Sequence, residues 1–260
     1  MATPTTKTRK RSRSGQVSAI RNDILRALLN SEYKHLRPRL ERVNLAAGEV
    51  VYRTDQPIEY VYFPETAVVA MMDMMENGAT VEVGIIGHEA MLGINLFLGP
   101  RLAPNTAVVQ LPGTALRMTA GDLRKEIRFG SPLQQLLLHY TQALLAVISQ
   151  SIGCSQHHTT TQRLARWLLT MHYYAEEHQV EMSQELIASA LGVRRGAVNK
   201  AAGEFQEKGL ITYRRSHVRI VDELGLKKIS CECYRFIRNE YERLLGDVPK
   251  YLSRRTLISS

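Results

Sequence analysis

Residues 183–219 constrain the fold more than any other part of the chain. Ser183 stands where a side-chain cap would begin a helix, and Gly192 stands where a left-handed residue would end it. A second helix follows over about residues 194–208, and a β-wing lies beyond it. The first helix carries an apolar stripe at helical spacing: Leu186, Ile187, Ala190 and Leu191. This order predicts a winged helix-turn-helix, which implies double-stranded DNA as a partner.

The charges of this segment agree with that partner. Seven Lys and Arg residues stand between Arg194 and Arg219, against two acids. Arg194 occupies the expected cap of the second helix, where a cation is unfavourable and a DNA phosphate would offset the cost. We therefore expect Arg194 to bind phosphate, while Arg195 and Lys200 reach base edges. The predicted DNA-binding residues are Ser183, Gln184, Arg194, Arg195, Gly196, Asn199, Lys200, Arg214, Arg215 and His217.

The net charge of +9 is unevenly distributed along the 260 residues. Residues 1–15 carry +5, residues 16–155 carry −1 and residues 156–260 carry +5. A neutral module joined to a basic one fits a sensor attached to a DNA reader. The basic tail, residues 1–16, has only Met1 and Ala2 as apolar residues and is expected to be disordered. We expect no signal peptide and no membrane span, and the three cysteines fit a reducing cytoplasm.

The part upstream of the DNA module changes from helical to strand-like patterns. Residues 17–42 are predicted to form short helices. Short apolar or alternating runs separated by turn residues then predict a small antiparallel roll, with strands at 50–52, 60–63, 68–75, 80–86, 106–111 and 115–118. The fold class is therefore α+β. The predicted domains are the roll over residues 17–130, a long helix over 131–155, the winged helix-turn-helix over 156–246, and a C-terminal tail over 247–260.

The helix that begins at Ser131-Pro132 carries apolar residues at alternating steps of four and three. This spacing predicts a coiled-coil seam, and helix-turn-helix proteins typically bind two half-sites as dimers. A core helix of a monomer is the alternative. The predicted homodimer residues are Leu133, Leu137, Tyr140, Leu144, Val147 and Ser151.

The order of roll, long helix and winged helix-turn-helix resembles the Crp/Fnr superfamily of bacterial transcription regulators. The likeness covers about residues 20–245. Its most specific parts outside the DNA module are residues 48–52 with 60–63, and Gly93-x-x-Leu96-Phe97. In the family's R-E-x-x-x-R recognition pattern the matching residues are Arg195, Gly196 and Lys200. The acid is missing, so the resemblance implies an altered, palindromic operator, with RNA polymerase as a further partner if the protein is an activator.

The resemblance also indicates a degenerate cyclic-nucleotide pocket, formed by Gly93, Ile94, Asn95, Asn105 and Thr106. Ile94 stands where the family's Glu accepts a ribose hydroxyl, and Asn105 stands where its Arg pairs with the cyclic phosphate. We therefore expect no control by cyclic AMP and an unknown effector. A cyclic-nucleotide-responsive regulator stays open as an alternative, because Arg101 lies in the same loop.

Other sites are sparse. The chain has no cysteine before Cys154, which argues against an iron–sulfur oxygen sensor. Cys154-x-x-His157-His158 and Cys231-x-Cys233 each supply too few ligands, so neither a metal nor another cofactor is expected. No catalytic constellation is recognisable, so an enzyme built on the roll is disfavoured. A non-specific nucleic-acid binder is the remaining alternative.

Overall fold

The computed structural model describes residues 20–99, 101–175 and 179–246. The predicted tails, residues 1–16 and 247–260, lie outside the described residues. The chain folds into an N-terminal set of strands and short helices, one long helix, and a C-terminal helical domain with a small sheet. This architecture confirms the predicted α+β class.

The first domain contains seven strands and four short helices among the described residues. The strands are β1 (Glu41–Leu45), β2 (Val50–Tyr52), β3 (Tyr60–Pro64), β4 (Val68–Met74), β5 (Thr80–Ile86), β6 (Thr106–Leu111) and β7 (Gly113–Thr119). The helices are α1 (Asp23–Arg26), α2 (Asn30–Leu36), α3 (Asn95–Leu98) and α4 (Ala120–Glu126), with a 3-10 turn at Arg37–Arg39. Two antiparallel sheets, ordered β1-β7-β3 and β2-β6-β4-β5, contribute side chains to one apolar core.

Two elements of this domain differ from the sequence-based expectation. Strand β1 begins at Glu41, where the helical prediction extended to residue 42. Pro38 belongs to the 3-10 turn that separates α2 from β1, because proline has no N–H with which to continue a helix. The short helix α3 was not predicted. The remaining strands agree with the predicted runs to within two residues at each end.

The second half of the chain contains the long helix and the DNA module. Its elements are α5 (Pro132–His157), α6 (Thr160–Tyr174), β8 (Gln179–Glu181), α7 (Gln184–Leu191), α8 (Arg195–Glu207), β9 (Ile211–Arg214), β10 (His217–Ile220), α9 (Glu223–Ile229) and α10 (Cys233–Gly246). Ser131 caps α5 by accepting a hydrogen bond from the N–H of Gln134, with Pro132 at the first helical position, as predicted. Helices α6 to α9 share a second apolar core, in which Trp167 and Phe205 are the largest buried side chains.

Helix α5 is enclosed on more sides than the sequence indicated. The hydroxyl of Tyr140 donates to the carbonyl of Met91 in the first domain at 3.1 Å. Its ring stacks on Tyr241 of α10, with centroids 6.4 Å apart. Helix α10 therefore returns to pack along α5 within the same chain.

This packing corrects the predicted dimer seam. Four of its six residues are buried inside the chain: Leu133, Leu137, Tyr140 and Leu144. Val147 and Ser151 are partly buried. Because the four buried side chains belong to the apolar core that α5 shares with the roll and α10, they are not available to a second copy. The large apolar side chains that α5 leaves exposed are Leu138, Leu145 and Ile152, at 52%, 64% and 62% exposure.

The DNA module contacts the first domain directly. The hydroxyls of Thr80 at the start of β5 and Ser189 on α7 lie 2.6 Å apart. The indole N–H of Trp167 on α6 donates to the carboxylate of Glu82 on β5 at 3.2 Å. Gln110 on β6 donates to the same carboxylate. The carboxylate of Glu82 therefore lies between the two domains and is hydrogen-bonded to a residue of each.

Glu82 predicts a pH-dependent stability. Burial raises the pKa of its carboxyl to about 7 from an ordinary value of 4.5, against the hydrogen bonds from Gln110 and Trp167. The folded state therefore holds this proton more tightly than the unfolded state, and stability falls as pH rises through that interval. We expect Glu82→Gln to stabilise the protein at about pH 8 and to have little effect at about pH 4.5 in urea titrations.

Glu76→Gln is the matched control, because Glu76 is exposed on the β4–β5 turn. A Glu82→Gln effect that is the same at both pH values would contradict the assignment.

Candidate nucleic-acid interface

The first helix of the DNA module is built by a cap, a buried face and a glycine. The hydroxyl of Ser183 accepts a hydrogen bond from the N–H of Leu186 at 3.1 Å, as the sequence predicted. Ile187 and Leu191 are buried against the module's core. Gly192 ends the helix in the left-handed conformation, with φ 60° and ψ 41°, which is the geometry that favours glycine at this position. The chain then turns directly into α8.

Helix α8 presents a cationic start to solvent. Arg194 stands at its cap in extended conformation, and its side chain makes no capping hydrogen bond. Val198 and Phe205 anchor the opposite face in the core. The residues predicted to contact DNA on this helix are all exposed: Arg194, Arg195, Gly196, Asn199 and Lys200. The first-turn N–H groups of an uncapped helix, together with adjacent cations, form a site suited to an anion.

The wing is a three-stranded antiparallel sheet, ordered β8-β10-β9. Its hairpin turns at Arg215 and Ser216, which have φ values of 48° and 67°. The hydroxyl of Tyr213 donates to the carbonyl of Met182 at 2.8 Å, which attaches the wing to the segment before α7. Burial raises the pKa of Tyr213, while the nearby positive charge of Arg195 opposes the shift. The wing therefore lies beside the start of α8.

The wing residues predicted to contact DNA lie at the exposed hairpin. Arg214, Arg215 and His217 are exposed at the hairpin. On the first helix Ser183 is exposed and Gln184 is partly buried. The module thus brings the predicted residues onto α7, α8 and the hairpin, while the apolar faces of both helices remain in the core.

The predicted effector pocket combines a glycine, a buried apolar side chain and two hydrogen-bonded polar side chains. Gly93 has a φ of 90°, and a Cβ there would lie 3.1 Å from Val61. Ile94 is buried in the apolar core. The amide of Asn105 donates to the carboxylate of Asp73 at 2.6 Å, and the hydroxyl of Thr106 accepts from the N–H of Thr54 at 3.2 Å. An acid therefore stands beside Asn105, the residue predicted to replace the family's phosphate-binding Arg.

The structure also brings together two cysteine-containing motifs that lie far apart in the sequence. Cys154 and His158 at the end of α5 meet Cys231 and Cys233 at the junction of α9 and α10, and their ligand atoms all lie within 4.8 Å of one another. His157 is exposed and is not a member of this cluster. Each motif alone has too few ligands, and a separation of 77 residues between Cys154 and Cys231 gave no sign that they meet.

Comparisons with known proteins support both domains. A family model for a cyclic nucleotide-binding domain matches residues 42–128, and one for a Crp-like helix-turn-helix domain matches residues 162–229. A search of curated proteins found no significant match. The two models together match more than half of the chain, in the order that the resemblance implied. The chain belongs to the Crp/Fnr superfamily of transcription regulators.

Solved structures share the fold at low sequence identity. FixK2 from Bradyrhizobium japonicum is 17% identical with a TM-score of 0.64, covering 74% of this chain and 98% of its own. TTHB099, a CRP-family regulator from Thermus thermophilus, is 17% identical with a TM-score of 0.61 and covers 73% and 96%. The c-di-GMP-responsive global regulator CLP of Xanthomonas campestris is 16% identical with a TM-score of 0.59 and covers 73% and 98%.

Helix α5 is long and apolar enough to cross a membrane by length and composition alone, although the sequence predicted no membrane span. A core helix passes the same test. Leu136, Leu137 and Tyr140 of this helix are buried inside the protein.

Proposed function

We propose that the protein is a cytoplasmic homodimer that binds a palindromic operator in double-stranded DNA and regulates transcription without cyclic AMP. The observation that carries this proposal is the uncapped, exposed start of α8 with Arg194 and Arg195 on it. The chain is proposed to act by binding and not as an enzyme. RNA polymerase is a further partner if the protein activates transcription, and the effector is unknown.

Arg194 and Arg195 have different proposed roles. Arg194 at the cap is placed to meet a phosphate together with first-turn N–H groups. Arg195 and Lys200 extend from the exposed side of α8 and are proposed to reach base edges in the major groove. Gly196 offers no side chain for a base contact. The operator is therefore proposed to differ from half-sites that are read with an acid at this position.

A second copy is proposed to pack on the exposed apolar row of α5. Leu138, Leu145 and Ile152 are spaced by seven residues, which places them on one side of the helix in a coiled-coil geometry. An isolated row of exposed large apolar side chains is costly in water and is stabilised when two copies cover it. This row is proposed in place of the seam that the sequence predicted.

The effector site is proposed to be unable to bind cyclic AMP. Asp73 beside Asn105 would repel a cyclic phosphate, and the buried Ile94 cannot accept a hydrogen bond from a ribose. Arg101 is exposed in the same loop as Asn105, and it is the residue that keeps a cyclic-nucleotide-responsive regulator as the alternative.

Arg195→Ala is expected to weaken binding to the preferred operator about 10- to 100-fold and to relax the choice of base at one position in each half-site. Arg194→Ala is the comparison, because loss of a phosphate contact weakens all sequences alike and reduces the salt slope by about one unit. Competition binding against operator and random DNA measures both. If Arg195→Ala weakens all sequences equally, Arg195 contacts phosphate and the base-reading role is wrong.

Leu145→Asp is expected to weaken dimerisation at least about 100-fold, because each copy would place a charge in the apolar row. Leu145 is exposed, so the fold of the protomer is expected to persist. Gln56→Asp adds the same charge at an exposed position outside α5 and is expected to leave the dimer unchanged. Sedimentation over a concentration series measures both variants. An unchanged dimer in Leu145→Asp would place the interface elsewhere.

Calorimetry with cyclic AMP is expected to show a dissociation constant weaker than about 1 mM, because the pocket lacks a cation for the phosphate. Binding in the micromolar range would contradict this part of the proposal. It would leave the DNA-binding role intact.

A further inference from the structure

The cluster of three cysteines and one histidine has the spacing of a tetrahedral metal site. The sulfurs of Cys154 and Cys231 lie 3.6 Å apart, and the sulfur of Cys233 lies 3.6 Å from Nδ1 of His158. In a tetrahedral zinc site, bonds of about 2.3 Å to sulfur and about 2.0–2.1 Å to nitrogen separate sulfurs by about 3.8 Å, and sulfur from nitrogen by about 3.6 Å. Both distances therefore match those of a tetrahedral site.

The groups around the cluster orient its ligands. Nε2 of His158 lies 3.3 Å from the carboxylate of Glu232, so Nε2–H can donate a hydrogen bond to that carboxylate, which leaves Nδ1 unprotonated and free to bind a metal. The side-chain amide of Gln150 donates to the sulfur of Cys233 at 3.0 Å. A carboxylate behind a ligating histidine and an N–H group directed at a sulfur are common outer partners of metal ligands.

The charge balance also fits a divalent ion. Three thiolates and Zn²⁺ would leave one net negative charge. The guanidinium of Arg166 is close enough to Cys154 to interact electrostatically with its sulfur. The buried Nε of Arg166 makes no hydrogen bond within the described part of the chain. A nearby cation of this kind offsets the remaining charge of the site.

We propose that Cys154, His158, Cys231 and Cys233 bind one Zn²⁺ ion in a closed, tetrahedral, structural site. All four ligand atoms lie within 4.8 Å of one another, which fits a single ion, whereas a multi-iron cluster would separate its ligands more widely. Three thiolates and one imidazole form one of the donor sets that structural zinc uses.

The position of the site determines its effect. Cys154 and His158 stand at the end of α5, directly before the Thr159 cap of α6. Cys231 and Cys233 join α9 to α10, the helix that returns along α5. One ion therefore links two junctions. The first, between α5 and α6, is where the DNA module begins, and the second, between α9 and α10, is where it ends. Zinc in this place holds the module in one orientation relative to α5.

The test is the metal content and cobalt spectrum of the full-length protein. We expect about one zinc per chain by elemental analysis of protein purified without added metal. Cobalt exchanged into the site is expected to show the d–d absorption of a tetrahedral ion and thiolate-to-cobalt charge transfer. Chelation is expected to lower the melting temperature by about 10 °C.

His158→Gln and His157→Gln form a matched pair, because the second histidine is adjacent but outside the cluster. Zinc content is expected to fall in His158→Gln and to stay at one per chain in His157→Gln. His158→Cys is expected to retain the metal as a four-cysteine site. Protein that lacks zinc and gives no tetrahedral cobalt spectrum would overturn the proposal. So would iron in place of zinc, equal metal content in the two glutamine variants, or a thiol count showing a disulfide in place of the free cysteines.

Discussion

The structure depends on the two sides of helix α5, of which one is buried within the chain and the other is exposed to solvent. One side is buried by the roll and by α10, through the contacts of Tyr140 with Met91 and Tyr241. The opposite side carries Leu138, Leu145 and Ile152 in solvent. Burial of the first side fixes the roll to the helix, and the helix leads into the DNA module at its far end. The second side is then the surface of the helix that remains for another copy.

The DNA module could be predicted from sequence because its signals are local. Ser183 caps α7, Gly192 ends it in the left-handed conformation, and the stripe through Ile187 and Leu191 is buried. The strands of the roll were recognisable for the same reason, since alternation and turn residues lie within a few positions of each other. The absence of a capping side chain at Arg194 also agrees with the local pattern.

The face of α5 could not be assigned in this way. The helix is apolar on more than one side, so it carries two rows at similar spacing, and the sequence predicts the row through Leu137 and Leu144 as the dimer seam. Tertiary packing decides between such rows, and the helix α10 that covers α5 was not predicted as a separate element. The cluster around Cys154 and Cys231 was missed for a related reason, because its two halves meet only when α10 folds back.

The two domains are joined in a way that suits regulation. The module contacts β5 through Thr80 and Ser189, and Glu82 is enclosed between Trp167 and Gln110. A change in the roll that moved β5 would therefore reach α7 through direct contacts. A proposed zinc ion at the junctions of α5 with α6 and of α9 with α10 would resist such a movement. The balance between these attachments would set the orientation in which α8 is offered to DNA.

The most direct test of the account is selection of bound sequences from a pool of random double-stranded DNA by the full-length protein. The account predicts enrichment of an inverted repeat, with half-site centres about one helical turn, or a multiple of it, apart. Such a result would require both sequence readout by α8 and a symmetric pair of modules. Recovery of DNA with no enriched sequence would contradict the central claim and would indicate a non-specific binder.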